Sequence, residues 1–409
     1  MAEVRAGLLD PDRQSSTVDQ QTVLDPPVAR ALALRVAQES VVLLANDGTL
    51  PLRADARVAL VGPLADAASG MLGCYSFPSH VGAQHPEVGL GVEIPTLLDA
   101  LGARVAAVDH AAGCSVDGTG TAGFARAVAA AGQADVCVVV LGDRAGLFGR
   151  GTSGEGCDAA DLRLPGVQAG LLAAVLATGT PVVLVLLSGR PYALGAYAGR
   201  AAAIVQAFFP GEEGGPAVAG VLAGDAEPGG RLPVGVPASP SGPYGGYLAP
   251  ALGRRNDAST VDPSPLFPFG HGLSYTGFAW SAVAASAEEI GTDGTVTVGV
   301  TVTNTGARAG TEVVQLYLHD PVAQVTRPVV RLVGYAKVRL AAGGSARVEF
   351  EVPAAAAAFT GRAGRRVVEP GELELRLGSS SAVVRATVPL RLTGPERPAV
   401  LATVLATVR

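Results

Sequence analysis

Runs of apolar, largely β-branched residues recur along the first half of the chain, separated by segments of helical period. Val58-Ala-Leu-Val61, Asp135-Val-Cys-Val-Val-Val-Leu141, Pro181-Val-Val-Leu-Val-Leu-Leu187 and the run from Ala201 to Phe208 are the clearest. A strand that reads as an unbroken apolar run is buried on both faces, and helices above and below a largely parallel sheet provide that burial. Helical patterns fill the intervals at Pro95 to Gly102, Ala122 to Ala131, Leu164 to Ala177 and Pro216 to Ala223. A further one spans Pro26 to about Leu44, with Val28, Leu32, Val36 and Val41 near one face and Pro27 in the first turn. Arg104 to Val108 adds a strand. The prediction is an open α/β sandwich with a mostly parallel sheet, ending near Pro237.

The Gly/Pro-rich stretch Pro237 to Pro268 breaks this rhythm, and the period beyond it is two. Thr295-Val-Thr-Val-Gly-Val-Thr-Val-Thr303 alternates, Asn304-Thr-Gly306 turns the chain, and Glu312–His319, Val329–Val338, Ala346–Val352 and Glu372–Leu377 follow as strands. Short strands at this spacing predict an all-β sandwich. The expected division is 1–25 as a linker, 26–275 as the α/β domain and 276–409 as the β-sandwich with its tail.

Composition removes several function classes. Only 16% of the 409 residues are charged and mean hydropathy is +0.35, which raises the question of a membrane. The longest apolar run, Pro181–Leu187, falls far short of the ~18 residues of a spanning helix. A net charge of −6, spread without blocks, gives no basic face for nucleic acid. Cys74, Cys114, Cys137 and Cys157 are widely spaced with no Cys-x-x-Cys pair, so free thiols are expected and a zinc site is not. Met1-Ala-Glu-Val-Arg5 has no apolar core behind its charge, so no secretory signal is read and a cytoplasmic location is expected.

In a parallel sheet, sites gather on the loops that follow the carboxyl ends of strands. The run ending at Leu141 feeds Gly142-Asp-Arg-Ala-Gly-Leu-Phe-Gly-Arg-Gly-Thr-Ser-Gly-Glu-Gly-Cys-Asp158, rich in glycine and holding Asp143, Glu155 and Asp158. Glu155 stands between Gly154 and Gly156, so nothing bulky shields its carboxyl group. Such a residue is either a solvated loop acid or a group able to transfer a proton to a docked substrate. Gly62-Pro-Leu-Ala-Asp66 lacks the Gly-x-Gly-x-x-Gly fingerprint of dinucleotide sites. Ser188-Gly-Arg-Pro191 lacks the Gly-x-Ser-x-Gly elbow, which leaves Ser188 a loop or cap hydroxyl. Glu212 and Glu213 either line a cleft or open a helix whose positive end welcomes acids. His271, in Phe269-Gly-His-Gly272, reads as a local hydrogen-bonding residue.

Taken in order, these stretches resemble glycoside hydrolase family 3. Gly151-Thr-Ser-Gly-Glu-Gly-Cys-Asp158 with Leu162-Arg-Leu-Pro-Gly-Val-Gln168 looks like that family's acid/base loop. Glu39 to Pro51, Val61-Gly-Pro-Leu-Ala-Asp66, Phe209-Pro-Gly-Glu-Glu-Gly-Gly215, Gly229-Gly-Arg-Leu-Pro233 and Leu266 to Tyr275 match in sequence order. Val302 to Tyr335 looks like the family's fibronectin type III-like domain.

The resemblance implies a retaining, exo-acting β-glycosidase of the β-glucosidase or β-xylosidase type, acting on β-linked glucoside or xyloside oligosaccharides. Two carboxylates roughly 5–5.5 Å apart would do the chemistry, one as nucleophile and one as acid, then base. Motif matching assigns Glu155 as the acid/base, and the same loop offers Phe148, Arg150 and Asp158 for substrate binding. The family's nucleophile lies on an N-terminal (β/α)8 barrel of ~250 residues, and fewer than 30 residues precede Pro26 here. Val4-Arg-Ala-Gly-Leu-Leu-Asp10 looks like the end of that barrel. The expectation is therefore the acid/base and cleft-closing half of the enzyme, inactive alone, working with a barrel chain or as a homo-oligomer and needing no metal or cofactor. The alternative is a non-catalytic carbohydrate-binding or interaction module derived from such an enzyme.

Overall fold

The computed structural model describes residues 23, 25–82, 84–85, 87–89, 91–241, 246–399 and 402–409. The stretch read as a linker and barrel remnant lies almost wholly outside these residues. The first element is α1 (Pro27–Ser40), followed by β1 (Val42–Asn46) and β2 (Arg57–Val61). Then come α2 (Leu97–Gly102), β3 (Ala107–Ala111), α3 (Phe124–Gln133), β4 (Val136–Gly142) and α4 (Gln168–Leu176). β5 (Val182–Leu187), β6 (Ala203–Gln206) and α5 (Gly214–Ala223) complete the α/β part.

The six strands lie in the order β1-β6-β5-β4-β2-β3, all parallel except β1, which runs antiparallel to β6. Alternate residues of each central strand enter opposite cores. Val138, Val140, Val183 and Val185 pack with Leu97, Leu101, Val218 and Leu222 of α2 and α5. Cys137, Val139, Leu184 and Leu186 pack on the other face with Ala127 of α3 and with Leu171 and Val175 of α4. Burial on both faces is why these strands are unbroken apolar runs. A Thr96–Asp99 capping box starts α2, with the Asp99 amide donating to Thr96 Oγ1 at 3.2 Å and the Thr96 amide donating to Asp99 Oδ2 at 3.0 Å.

Several boundaries differ from the sequence reading; the helix expected from Leu164, for one, starts at Gln168. The helix expected to reach Leu44 ends at Ser40, because Val42–Asn46 pairs with β6 as an edge strand. The strand expected at Arg104–Val108 is Ala107–Ala111. Arg104 still belongs to the exit of α2, where its guanidinium donates to the Ala100 carbonyl at 2.7 Å and pairs with Asp225 at 2.9 Å.

The second part is all β. One sheet has the order β11-β10-β13-β14-β8, from Arg331–Leu340, Gly310–His319, Gly371–Gly378, Val384–Thr393 and Glu289–Gly291. The facing sheet is β15-β12-β9-β7, from Leu405–Val408, Ser345–Pro353, Thr295–Asn304 and Phe278–Ala285. Val296, Val298, Val300 and Val302 of β9 meet Val314, Leu316 and Leu318 of β10 in a third core. No strand from Phe278 onward joins the six-stranded sheet among the described residues.

Candidate active site

Chain direction changes sides between β2 and β4: β3 lies beyond β2 on one side, and β4, β5 and β6 follow on the other. Loops leaving the carboxyl ends of such a pair diverge and leave a crevice. Glycines open it. A Cβ on Gly142 (φ +142) would stand 1.9 Å from the Leu187 carbonyl oxygen, so only glycine lets β4 leave the sheet beside β5.

The loop that follows is pinned from beneath. Asp143 is fully buried, accepting hydrogen bonds from Thr152 Oγ1 at 2.7 Å, the Gly189 amide at 2.9 Å and the Tyr192 hydroxyl. Burial, then the Asp143 hydrogen bond, pushes the Tyr192 phenol well up. Arg190 donates to the Thr152 and Cys157 carbonyls, and buried Gln168 holds both the amide and the carbonyl of Gly142, at 2.8 and 2.9 Å. Ala145 bridges Ser153, closing the loop on itself. Gly154 (φ +126) passes so close that a Cβ there would lie 2.1 Å from the Gly146 carbonyl oxygen and 2.8 Å from Cys74 Cβ.

Glu155 emerges exposed from this frame, its carboxylate accepting from the Tyr75 hydroxyl. Tyr75 lies on the segment after β2, so the contact spans the crevice. Phe148 and Arg150 are also exposed and line a cavity of about 510 Å³ with His80, Val88 and Arg144. Asp158 is exposed on the same loop but does not line that cavity. Glu213 is buried at the start of α5, paired with Arg30 of α1 at 2.5 Å, which agrees with the helix-start reading. Ser188 is a buried loop hydroxyl donating to the Arg190 carbonyl at 3.0 Å. The His271 imidazole meets the Leu44 carbonyl at 2.8 Å, and burial lowers its pKa, as suits a local structural role.

Sequence reasoning missed Asp143 as an anchor, and Tyr75 altogether. The available signals were an acid directly after a buried strand and an aromatic in the loop following β2. Among the described residues no cluster of three or more His, Cys, Asp or Glu could hold a metal, and no helix is long and apolar enough to cross a membrane.

An anchored, glycine-rich loop at the crevice of a doubly wound sheet, with a β-sandwich attached, defines a class of two-part α/β proteins. Comparison with known proteins narrows the class. Residues 41–275 match the glycosyl hydrolase family 3 C-terminal domain, residues 312–381 match a fibronectin type III-like domain, and the chain belongs to glycoside hydrolase family 3.

A periplasmic beta-glucosidase of Salmonella typhimurium is 36% identical over 403 residues, covering 91% of this chain and 51% of the relative. A beta-xylosidase of Formosa agariphila is 34% identical over 390 residues, covering 93% and 52%. The beta-glucosidase of Listeria innocua, solved in complex with isofagomine, superposes with a TM-score of 0.83 at 29% identity, covering 95% of this chain and 53% of that one. The chain thus spans about half the length of the curated relatives it matches.

Proposed function

We propose that this chain supplies the general acid/base and the cleft-closing half of a retaining, exo-acting β-glycosidase, with Glu155 as the proton donor and Phe148, Arg150 and Asp158 toward the sugar. The observation that carries the reading is the placement of Glu155, bare and exposed at the crevice while Asp143, Gln168 and Tyr192, which hold the loop from beneath, are buried. The substrate class is a β-linked glucoside or xyloside, in keeping with the names of the relatives. Glu155 protonates the departing glycosidic oxygen, then removes a proton from the water that attacks the glycosyl-enzyme.

The nucleophile comes from outside these residues. The two buried acids at this end of the sheet are committed, Asp143 to its three donors and Glu213 to Arg30. The stripe Val28, Leu32 and Val36 on α1 stays 77%, 56% and 59% exposed, which supports a nucleophile-bearing (β/α)8 domain as the working partner. Four free cysteines, two of them buried, favour a reducing compartment such as the cytoplasm.

The test compares aryl β-glucoside and aryl β-xyloside turnover by the 409 residues alone and with that partner domain. The chain alone is expected to be silent, since one carboxylate cannot form the covalent intermediate. In the complex, Glu155→Gln should cost roughly 10²–10⁴-fold on an unactivated disaccharide, less on an activated aryl glycoside, with partial rescue by azide. Parental disaccharide hydrolysis by the Gln variant would discard Glu155 as the acid and leave the non-catalytic module as the better reading.

A further inference from the structure

We infer that Tyr75 is a positioning residue for Glu155, holding the carboxylate in one orientation across the crevice; this rests on Glu155 being the acid/base. A side chain between two glycines on an exposed loop has little around it to select a rotamer. Gly154 and Gly156 both adopt positive φ, and neither offers a side chain to pack on Glu155. Precise proton transfer needs an outside constraint, since a group displaced by an ångström loses much of its advantage. The Tyr75 hydroxyl is that constraint, donating to Glu155 Oε2.

Its own mounting draws partly on elements outside the acid loop. Met71 is fully buried, and its carbonyl accepts the Gly211 amide at 2.8 Å, which ties the segment after β2 to the loop after β6. Cys74 packs against Gly154, and the Tyr75 ring stands edge-on to His80 with centroids 6.5 Å apart. Tyr75 is nevertheless 67% exposed, so its hydroxyl is not there to fill a core. The Glu155 hydrogen bond is the main cause holding its phenol above the ordinary tyrosine range.

That last property gives a readout needing no turnover. In the 409-residue chain carrying ¹³Cζ-tyrosine, the Tyr75 signal among the 8 tyrosines is assigned by its loss in Tyr75→Phe and followed through alkaline titration. Glu155→Gln should bring the Tyr75 midpoint down toward the free-tyrosine value; an unmoved midpoint overturns the inference. In the partner-complemented enzyme, Tyr75→Phe should lower kcat on an unactivated disaccharide about tenfold, the size of one hydrogen bond to a charged group, with KM nearly unchanged. Added to Glu155→Gln, it should do nothing further. A Tyr75→Phe enzyme with parental kcat, or full additivity of the two changes, overturns the positioning role even where the midpoint moves. Failure of the functional reading looks different: Glu155→Gln would then itself leave disaccharide hydrolysis intact.

Discussion

Three acids share the loop after β4, and their surroundings separate them. Glu155 and Asp158 face solvent while Asp143 is fully buried with three donors on its carboxylate. Asp143→Ala would leave the buried Tyr192 hydroxyl without its acceptor and take the Gly189 amide's acceptor away as well. Bonds to charged groups contribute ~1.5–3 kcal/mol each and orphaned buried donors add their own penalty, so a loss of about 3 kcal/mol is expected. Glu155→Gln, with no buried partner, should stay within about 0.5 kcal/mol. Urea unfolding of both variants checks the contrast, and equal midpoints would contradict it. The burial of Asp143 was not legible in the sequence. Gly189 and Tyr192 lie 46 and 49 residues from Asp143, so its burial is set by where β5 delivers its own loop. Bareness between glycines, by contrast, is a local property, and it singled out Glu155 correctly as an exposed carboxylate.

Elements buried on both faces were the easiest to read, for the physical reason that burial removes every polar residue that could blur the pattern. The central strands β4 and β5 match their apolar runs within one residue at either end. The edges were harder. In β3 only Ala111 is buried, so no apolar run marks it, and β1 merged with α1 because Val41 to Leu44 suits either period. The acid loop is the element where glycine positions decide the geometry. Gly154 at φ +126 has a carbonyl oxygen where a Cβ would go, whereas a Cβ on Gly149 at φ +76 would meet nothing closer than 3.6 Å. Gly154→Ala should therefore cost about 2 kcal/mol and loosen the loop, and Gly149→Ala about 1 kcal/mol while leaving the loop in place. Amide exchange at Gly146 and Thr152, whose bonds to Ser153 and Arg144 close the loop, reports the difference. Equal exchange in the two variants would show that the close approach at Gly154 is not what shapes the loop.

At the scale of the whole molecule, the α/β cores and the sandwich core are separate, yet buried polar contacts couple them. Arg231 and Glu312 pair at 3.1 Å with side chains only 10% and 6% exposed, and Glu312 also accepts from Trp280 Nε1 at 3.3 Å. Around this pair, Gln315 Nε2 donates to the Gly270 carbonyl at 2.9 Å and Arg308 to the Gly224 carbonyl at 2.8 Å. The exposed link from Lys337 to Glu39, at 3.1 Å, joins the same two parts. Pairs of these two kinds behave differently. Removing one partner of a buried pair strands a charge and costs about 3–5 kcal/mol, whereas an exposed pair contributes about 0–1 kcal/mol. Arg231 is poorly placed to lose its partner, because its Nε already lacks a hydrogen bond. Calorimetry of the parent should thus give one cooperative transition although there are separate cores. Glu312→Ala should lower stability by roughly 3 kcal/mol or more and split that transition in two, the sandwich melting apart from the α/β sheet. Glu312→Gln, which keeps an acceptor for Trp280 and Arg231, should fall between, and Lys337→Ala should leave a single transition close to the parent's. A parent that already melts in two steps, or a Glu312→Ala protein that still melts in one, would show that the coupling lies elsewhere in the interface.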